Sequence, residues 1–149
     1  MSSNPTSILI VDDNHSLVHI LDGVLQREGY KTLTAYDGEE ALAKARQEKP
    51  DLIILDIVMP KMDGYTVCRH LQQDPETAAI PILMLTVKGQ LDERPDPAMD
   101  TQYYDKGIQE RMTGFAVGAT EFMSKPVSAR ELLRRVKSLL WLDSVGPGR

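Results

Sequence analysis

The sequence contains one cysteine, Cys68, in 149 residues, which excludes an intramolecular disulfide and favours a reducing compartment. It has no apolar stretch that approaches the roughly 18 residues needed for a membrane span. The N-terminus, "MSSNPTS", has neither the basic nor the apolar region of a secretory signal. Positive charge is not in excess, since the net charge is −5, and this argues against a nucleic-acid-binding surface. We therefore expect a cytoplasmic protein that binds neither a membrane nor nucleic acid directly.

The sequence does contain a regular alternation of short apolar runs and amphipathic segments of helical length. The apolar runs predict five strands, at 8–11, 32–36, 52–55, 80–86 and 118–124. Helical spacing predicts helices over 17–25, 39–47 and 63–72, and a last helix that runs from the Ser128–Glu131 capping box to Leu140. This alternation favours one α/β domain with a mainly parallel sheet. Right-handed crossovers then bring the C-terminal ends of the strands to one edge, where ligands bind.

Polar side chains stand at four of these strand ends. Asp12 and Asp13 follow the first strand and Asp56 ends the third, while Thr86 and Lys125 end the fourth and fifth. One acid at a strand end is usually just solvated, and Asp12 or Asp13 alone could cap the first helix. Three carboxylates in one place, however, repel one another unless a cation neutralises them, and hard oxygen ligands suit Mg²⁺. The joint placement predicts a Mg²⁺ site at this edge.

The third strand carries a further signal, because a run that is expected to be buried delivers Asp56 at its tip. A carboxylate can act as a nucleophile and form an aspartyl phosphate. The metal ion, the hydroxyl group of Thr86 and the ammonium group of Lys125 would then stabilise the oxygens of a transferred phosphoryl group. The residues therefore predict that Asp56 is phosphorylated.

Four segments together resemble a known family, the receiver domain of two-component response regulators. They are "ILIVDDN" (8–14), "LIILDIVMPKMDG" (52–64), "ILMLTVKG" (82–89) and "GFAVGATEFMSKP" (114–126). The resemblance covers roughly residues 7 to 142. It implies a flavodoxin-like, doubly wound α/β fold, with a five-stranded parallel sheet of order 2-1-3-4-5 and helices on both faces.

The resemblance also implies a set of ligands for Mg²⁺. Asp13 would be a direct ligand, and Asp12 would assist the metal through water. Asp56, the phosphoacceptor, and the main-chain carbonyl group of Val58 would complete the ligands from the protein.

The same resemblance implies roles for residues of the last two strands. Thr86 and Lys125 would contact the phosphoryl group, and Thr86 would also belong to the switch. Phe122 matches the aromatic switch position. The Lys125–Pro126 bond is similar to the family's cis peptide, which directs the lysine into the site.

The function implied is a signalling receiver rather than an enzyme. Asp56 would accept a phosphoryl group from a histidine kinase or a phosphotransfer protein in a Mg²⁺-dependent reaction, and binding to an unknown output partner would change. The only catalysis would be the protein's own phosphorylation and dephosphorylation. The alternative is a Mg²⁺-dependent aspartyl-phosphate phosphohydrolase on the same fold, but enzymes of the haloacid dehalogenase type need a second Asp as general acid where this chain has Val58. A structural pseudo-receiver is disfavoured because all five site residues are present.

The segment between Thr86 and Lys125 is longer than the fold requires. About 20 to 25 residues would suffice there, so we expect an insertion at about 90–107, which leads into a helix over about 101–117. We expect it to alter a partner surface, and the alternatives are a lid or a tolerated surface excursion. The expected organisation is an N-terminal tail over 1–6, a receiver domain over 7–142, and a tail or linker over 143–149.

Outside the strand ends, two groups of residues have alternative interpretations. The last helix ends in four consecutive apolar residues, 139–142, which include Trp141 and cannot all face the core. A homodimer through the face of the fourth helix, fifth strand and fifth helix is one hypothesis. The three histidines, His15, His19 and His70, are interpreted as surface or helix-capping residues rather than as a phosphohistidine relay.

Overall fold

The computed structural model describes residues 5–87 and 120–145. The strands are β1 (Ser7–Val11), β2 (Lys31–Ala35), β3 (Leu52–Asp56), β4 (Ile82–Val87) and β5 (Glu121–Lys125). The helices are α1 (His15–Arg27), α2 (Gly38–Glu48), α3 (Gly64–Gln73) and α4 (Ala129–Val145). The predicted insertion at 90–107 and the helix expected at 101–117 lie outside the described residues.

The five strands form one parallel sheet in the order β2-β1-β3-β4-β5, which confirms the expected topology. Side chains alternate between two buried clusters, one on each face of the sheet. In β1, for example, Leu9 and Val11 enter one cluster and Ile8 and Ile10 the other. Burial of one such side chain contributes roughly 1.5–3 kcal/mol. The central strands β1, β3 and β4 are almost continuously apolar because both of their faces are covered, whereas the edge strands β2 and β5 carry polar residues.

The helices divide between these two faces. Helices α2 and α3 cover the first cluster, through residues such as Ala41 and Val67, and we call it the α2–α3 face. Helices α1 and α4 cover the second, through residues such as Leu21 and Val136, and we call it the α1–α4 face. The helices thus sandwich the sheet and leave its edges at the strand ends for the connecting loops.

Polar caps fix where the helices begin. The side chains of Asn14, Asp37 and Asp63 accept hydrogen bonds from the third amide of α1, α2 and α3, at 3.1, 2.8 and 2.8 Å. Each such cap is worth about 1 kcal/mol. The cap of α1 is Asn14, so the alternative in which Asp12 or Asp13 caps this helix is wrong. Asn14 directly precedes the first residue of α1, so Asp12 and Asp13 lie before the capping residue and outside the helix.

The last helix is longer than predicted. Ser128 Oγ accepts from the amide of Glu131 at 3.3 Å, as expected from the capping box, but the helix continues past Leu140 to Val145. The reason is local, because the sequence has no helix-breaking residue until Gly146 and Pro147.

Candidate functional site

Two carboxylates lie side by side where β1 and β3 end. Val11 pairs with Leu55 in the parallel ladder, so Asp12 and Asp56 are neighbours at the next position. Side chains two residues apart in a strand point to the same face, and Ile10 and Ile54 belong to the α1–α4 face. Asp12 and Asp56 follow these two residues and therefore project to that face. Both side chains are buried, with 0% and 2% of the surface of Asp12 and Asp56 exposed. The sheet therefore places two ionisable groups where apolar residues would continue the pattern.

A third carboxylate, that of Asp13, completes the group from the exposed side. One carboxylate oxygen from each of Asp12, Asp13 and Asp56 lies within 4.8 Å of the others. Asp12 is held on both sides, because its amide donates to the carbonyl group of Ala35 at 3.2 Å and its Oδ1 accepts from the amide of Asn14 at 3.0 Å. The acidic cluster, as we call these three residues, thus takes Asp12 and Asp13 from the β1–α1 connection and Asp56 from the end of β3.

Lys125 brings a cation to the acidic cluster from the edge strand β5. Its Nζ lies 2.9 Å from Asp12 Oδ2 and 3.1 Å from Asp56 Oδ1. Burial lowers the pKa of Lys125, but the hydrogen bond to Asp12 and the charges of Asp56 and Asp12 outweigh this, so the pKa lies above its ordinary value. Lys125 is therefore charged at neutral pH. The Lys125–Pro126 bond is cis, as the resemblance to the receiver family implies.

One ammonium group does not neutralise three carboxylates, and the pKa of Asp56 reflects this. Burial and then the charge of Asp12 raise that pKa from 3.8 to about 6, although Lys125 lowers it in part and Asp13 raises it further. With all groups ionised, the cluster and Lys125 carry three negative charges and one positive, a formal charge of −2. Hard oxygen donors with excess negative charge fit a divalent cation such as Mg²⁺.

The connection from β3 to α3 folds back closely against the end of the strand. The amide of Gly64 donates to the carbonyl group of Ile57 at 2.7 Å. A Cβ atom at Gly64 would lie 2.4 Å from the main-chain oxygen of Asp56, so only glycine allows this approach. Ile57 and Met59 are buried in this connection, while Val58 between them is 53% exposed. Val58 thus stands at the surface, two residues beyond Asp56.

The response regulator receiver domain family matches residues 8–105 of this chain. The chain belongs to this family. It is 46% identical over 133 residues to the alkaline phosphatase synthesis transcriptional regulatory protein PhoP of Bacillus subtilis, a match that covers 89% of this chain and 48% of PhoP. It is 40% identical to the DNA-binding dual master transcriptional regulator RpaA of Synechocystis, with the same two coverages. The receiver thus spans about half the length of these curated relatives, and neither is named as a phosphohydrolase.

Solved structures agree with this membership. A response regulator from Chloroflexus aurantiacus superposes with a TM-score of 0.76 at 37% identity, covering 93% of this chain and 99% of that one. The chemotaxis protein CheY4 of Vibrio cholerae has a TM-score of 0.74 at 32% identity, covering 91% and 99%. These neighbours confirm the flavodoxin-like receiver fold. Among the described residues of this receiver, no helix is long and apolar enough to cross a membrane.

Thr86 is close to the acidic cluster in the sheet but projects differently. It follows Ile82 and Met84, which face α2 and α3, whereas Asp56 faces α1 and α4. Thr86 is fully buried, and its Oγ1 has no hydrogen-bond partner among the residues that the structure describes. The receiver therefore brings Thr86 to the correct edge without joining it to the ion-paired group.

Phe122 lies on the same face as Thr86, one strand further along. It pairs with Met84 in the parallel ladder and packs, partly buried, against the cluster under α2 and α3. Its carbonyl group accepts from Arg135 Nη1 at 3.1 Å, which ties β5 to α4. Thr86 and Phe122 therefore share a face, as residues of one switch would need to.

One aromatic contact beside the acidic cluster was not predicted from the sequence. The rings of His15 and Tyr36 stack with centroids 3.9 Å apart and planes parallel. Each residue comes shortly after a strand end, since β1 ends at Val11 and β2 at Ala35. Their positions just after strand ends predict that both residues lie near the functional edge. Sequence spacing alone, however, does not show that two rings from different connections stack.

Proposed function

We propose that Asp56 of this receiver accepts a phosphoryl group from a histidine kinase or a phosphotransfer protein, and that phosphorylation changes its binding to an output partner. The observation that carries the proposal is the position of Asp56: buried at a strand tip, 3.1 Å from a charged lysine, in a cluster of three carboxylates. Asp12 is a weaker candidate because its Oδ1 accepts from the amide of Asn14 and its fully buried Oδ2 is ion-paired with Lys125 at 2.9 Å, although without hydrogen-bond geometry.

The acidic cluster and the main-chain carbonyl group of Val58 are the groups that would hold Mg²⁺. The exposed Asp13 would be the direct ligand, while the buried Asp12 would act through water. When bound, Mg²⁺ would neutralise the carboxylates and the oxygens of the incoming phosphoryl group. Burial is the largest cause of the raised pKa of Asp56, but the charges of Asp12 and Asp13 add to it, and a bound cation would offset that repulsion.

The chemical step is a substitution at phosphorus. An Asp56 carboxylate oxygen forms the new P–O bond while the P–N bond of a phosphohistidine donor breaks. The leaving nitrogen keeps the bonding electron pair and takes up a proton from solvent. Lys125 already lies against Asp56 and would stabilise the charge on the phosphoryl oxygens. Self-catalysed phosphorylation and dephosphorylation are the only reactions that we propose.

Thr86 and Phe122 would transmit the change. The buried Thr86 hydroxyl group lacks a partner among the described residues, and a phosphoryl oxygen would supply one. A move of Thr86 toward Asp56 would vacate space on the α2–α3 face, where Phe122 packs. The surface around β5 and α4 would then change, and a homodimer through it and the predicted helix at 101–117 is one consequence that we propose.

The wider setting is also part of the proposal. We infer a cytoplasmic receiver domain over 7–142, with an insertion at about 90–107, a short tail over 1–6 and a tail or linker over 143–149. Its output would be an unknown partner or an output domain.

The test is to incubate the protein with Mg²⁺ and phosphoramidate and to measure covalent phosphate by mass spectrometry. One acid-stable, base-labile phosphoryl group is expected, and Asp56→Asn should remove it. Asp51→Asn is the matched control, because Asp51 is an exposed acid at the opposite end of β3. Equal labelling of wild type and Asp56→Asn would contradict the assignment.

A further inference from the structure

The stacked rings of His15 and Tyr36 form a flat surface beside the acidic cluster. Their centroids are 3.9 Å apart and their planes are parallel. Tyr36 is half-buried and packs against the cluster under α1 and α4, whereas His15 is exposed. The pair thus has an inner ring set on the core and an outer ring at the surface.

The sheet register places this pair near the phosphoacceptor. Ala35 pairs with Val11, so Tyr36 is the neighbour of Asp12 in the same way that Asp56 is on the other side. Asp12 is joined to the β2 end by the 3.2 Å hydrogen bond from its amide to the carbonyl group of Ala35. Adjacent strands lie about 4.8 Å apart, so the main chain at Tyr36 is roughly 10 Å from that at Asp56.

The main chain that carries each ring is held in place before any ligand arrives. The amide of Tyr36 donates to Glu40 Oε1 at 2.8 Å, which fixes the residue to the start of α2. His15 is the first residue of α1, directly after the Asn14 cap that accepts from the amide of Leu17. Because its main chain is fixed and its ring already stacks on Tyr36, His15 would stack on a ligand with little further loss of side-chain entropy.

We propose that the outer face of His15, supported by Tyr36, is a stacking surface for the imidazole ring of the phosphohistidine donor. This inference rests on the proposed function of Asp56. The donor nitrogen is bonded to the phosphorus that Asp56 attacks, so its ring must stand near the row of strand ends while the P–N bond breaks. Aromatic rings prefer offset-stacked or edge-to-face contacts with another ring, and the surface of His15 offers one. The pair therefore selects donors whose leaving group is an aromatic ring.

The test compares two small donors that both carry a P–N bond. Phosphoimidazole has an aromatic leaving group and phosphoramidate has none, so the ratio of their second-order rate constants for labelling Asp56 isolates the contribution of the ring. His15→Ala should lower this ratio about two- to tenfold, the range expected for one stacking contact. Tyr36→Leu should lower it in the same direction because the support is lost. His15→Phe should keep the ratio within about twofold of the wild type, because it retains a ring.

The matched control is His19→Ala, which removes an exposed imidazole one turn further along α1 and should leave the ratio unchanged. An unchanged ratio in His15→Ala, or a loss in His15→Phe as large as in His15→Ala, would overturn the stacking role. Failure of the proposed function looks different, since wild-type protein would then take phosphate from neither donor. A variant with a disturbed fold is also distinguished, because both rate constants would fall together.

Discussion

Replacement of Asp56 by asparagine should stabilise the fold at neutral pH when no divalent cation is present. Asparagine nearly matches the shape of aspartate but removes one charge from a buried group of three carboxylates. Burial and the charge of Asp12 raise the pKa of Asp56 to about 6, which means that the folded state disfavours the ionised form. The substitution removes the buried negative charge and therefore the free-energy cost of ionising it in the folded state.

The sign and size of the effect follow from linkage. A carboxyl group whose pKa is raised on folding destabilises the protein where it is ionised. The penalty for Asp56 is absent below its ordinary pKa of 3.8, grows as the pH rises, and is complete above about pH 6. The difference between 3.8 and about 6 corresponds to at most about 3 kcal/mol. The lost contact with Lys125 is already part of this balance, so we expect a gain of about 1–3 kcal/mol at neutral pH.

The assay is urea unfolding followed by far-UV circular dichroism in the presence of EDTA. The free energy of unfolding of Asp56→Asn should exceed that of the wild type at neutral pH, and the gap should close near pH 4. Added Mg²⁺ should narrow the gap at neutral pH, because it stabilises the wild type more. The control is Asp74→Asn, which should lose stability at neutral pH, since hydrogen bonds from Glu76 and Arg46 lower the pKa of Asp74. A variant no more stable than the wild type, or one with the same gain at both pH values, would refute the reasoning.

Four further predictions concern the surroundings of the cluster. In thermal melts, Gly64→Ala should lower the stability of the fold by about 1–3 kcal/mol, because its Cβ would overlap the backbone at the end of β3, and it should also slow phosphorylation. The control is Gly23→Ala, which should be neutral or stabilising because its Cβ meets only a flexible arginine tip at 3.7 Å. Cys68 should resist iodoacetamide in the native protein and react in urea, because burial raises the pKa of its thiol to about 11. Val58→Asn should speed loss of the phosphoryl group at least a few-fold after donor removal, by offering one hydrogen bond of about 1 kcal/mol to the attacking water. Asp13→Ala should weaken Mg²⁺ binding measured by calorimetry, and an unchanged affinity would contradict its role as direct ligand.

Much of the site was predictable because parallel strands bring their ends to one edge. The apolar runs of β1 and β3 placed Asp12 and Asp56 at strand tips on one edge of the sheet, and the structure puts their side chains beside the same lysine. The alternation of Ile8 and Ile10 also directs Asp12 toward the α1–α4 face. The strand order itself came from the resemblance to the receiver family, because periodicity fixes which residues are strands and not which strands are neighbours.

The rest depended on contacts that no local pattern records. Thr86 was expected in the same pocket as Lys125, and the alternation after Ile82 and Met84 places it on the α2–α3 face, so its contact with a phosphoryl group stays a prediction. The stack of His15 on Tyr36 joins two connections that are distant in sequence, so helical spacing gave His15 only a surface or capping role. Asn and Asp are about equally good N-cap residues, so capping preference alone does not select Asn14 over the two acids before it.

The instability of the acidic cluster and its proposed function have one physical origin. Repulsion between the negative charges of Asp12, Asp13 and Asp56 destabilises the folded state. A ligand that neutralises these charges removes the repulsion, and this adds to its binding free energy. Lys125 offsets only part of the repulsion, because one ammonium group faces three carboxylates. Lys125 divides its positive charge between Asp12 and Asp56, so neither carboxylate neutralises it alone. Its ammonium group would therefore move toward a phosphoryl group on Asp56, which adds negative charge there. Lys125 belongs to β5, three residues after Phe122 in the same strand. A shift of the lysine toward a phosphoryl group would therefore be felt along β5 and, through the bond from Arg135 to the Phe122 carbonyl group, at the surface of α4.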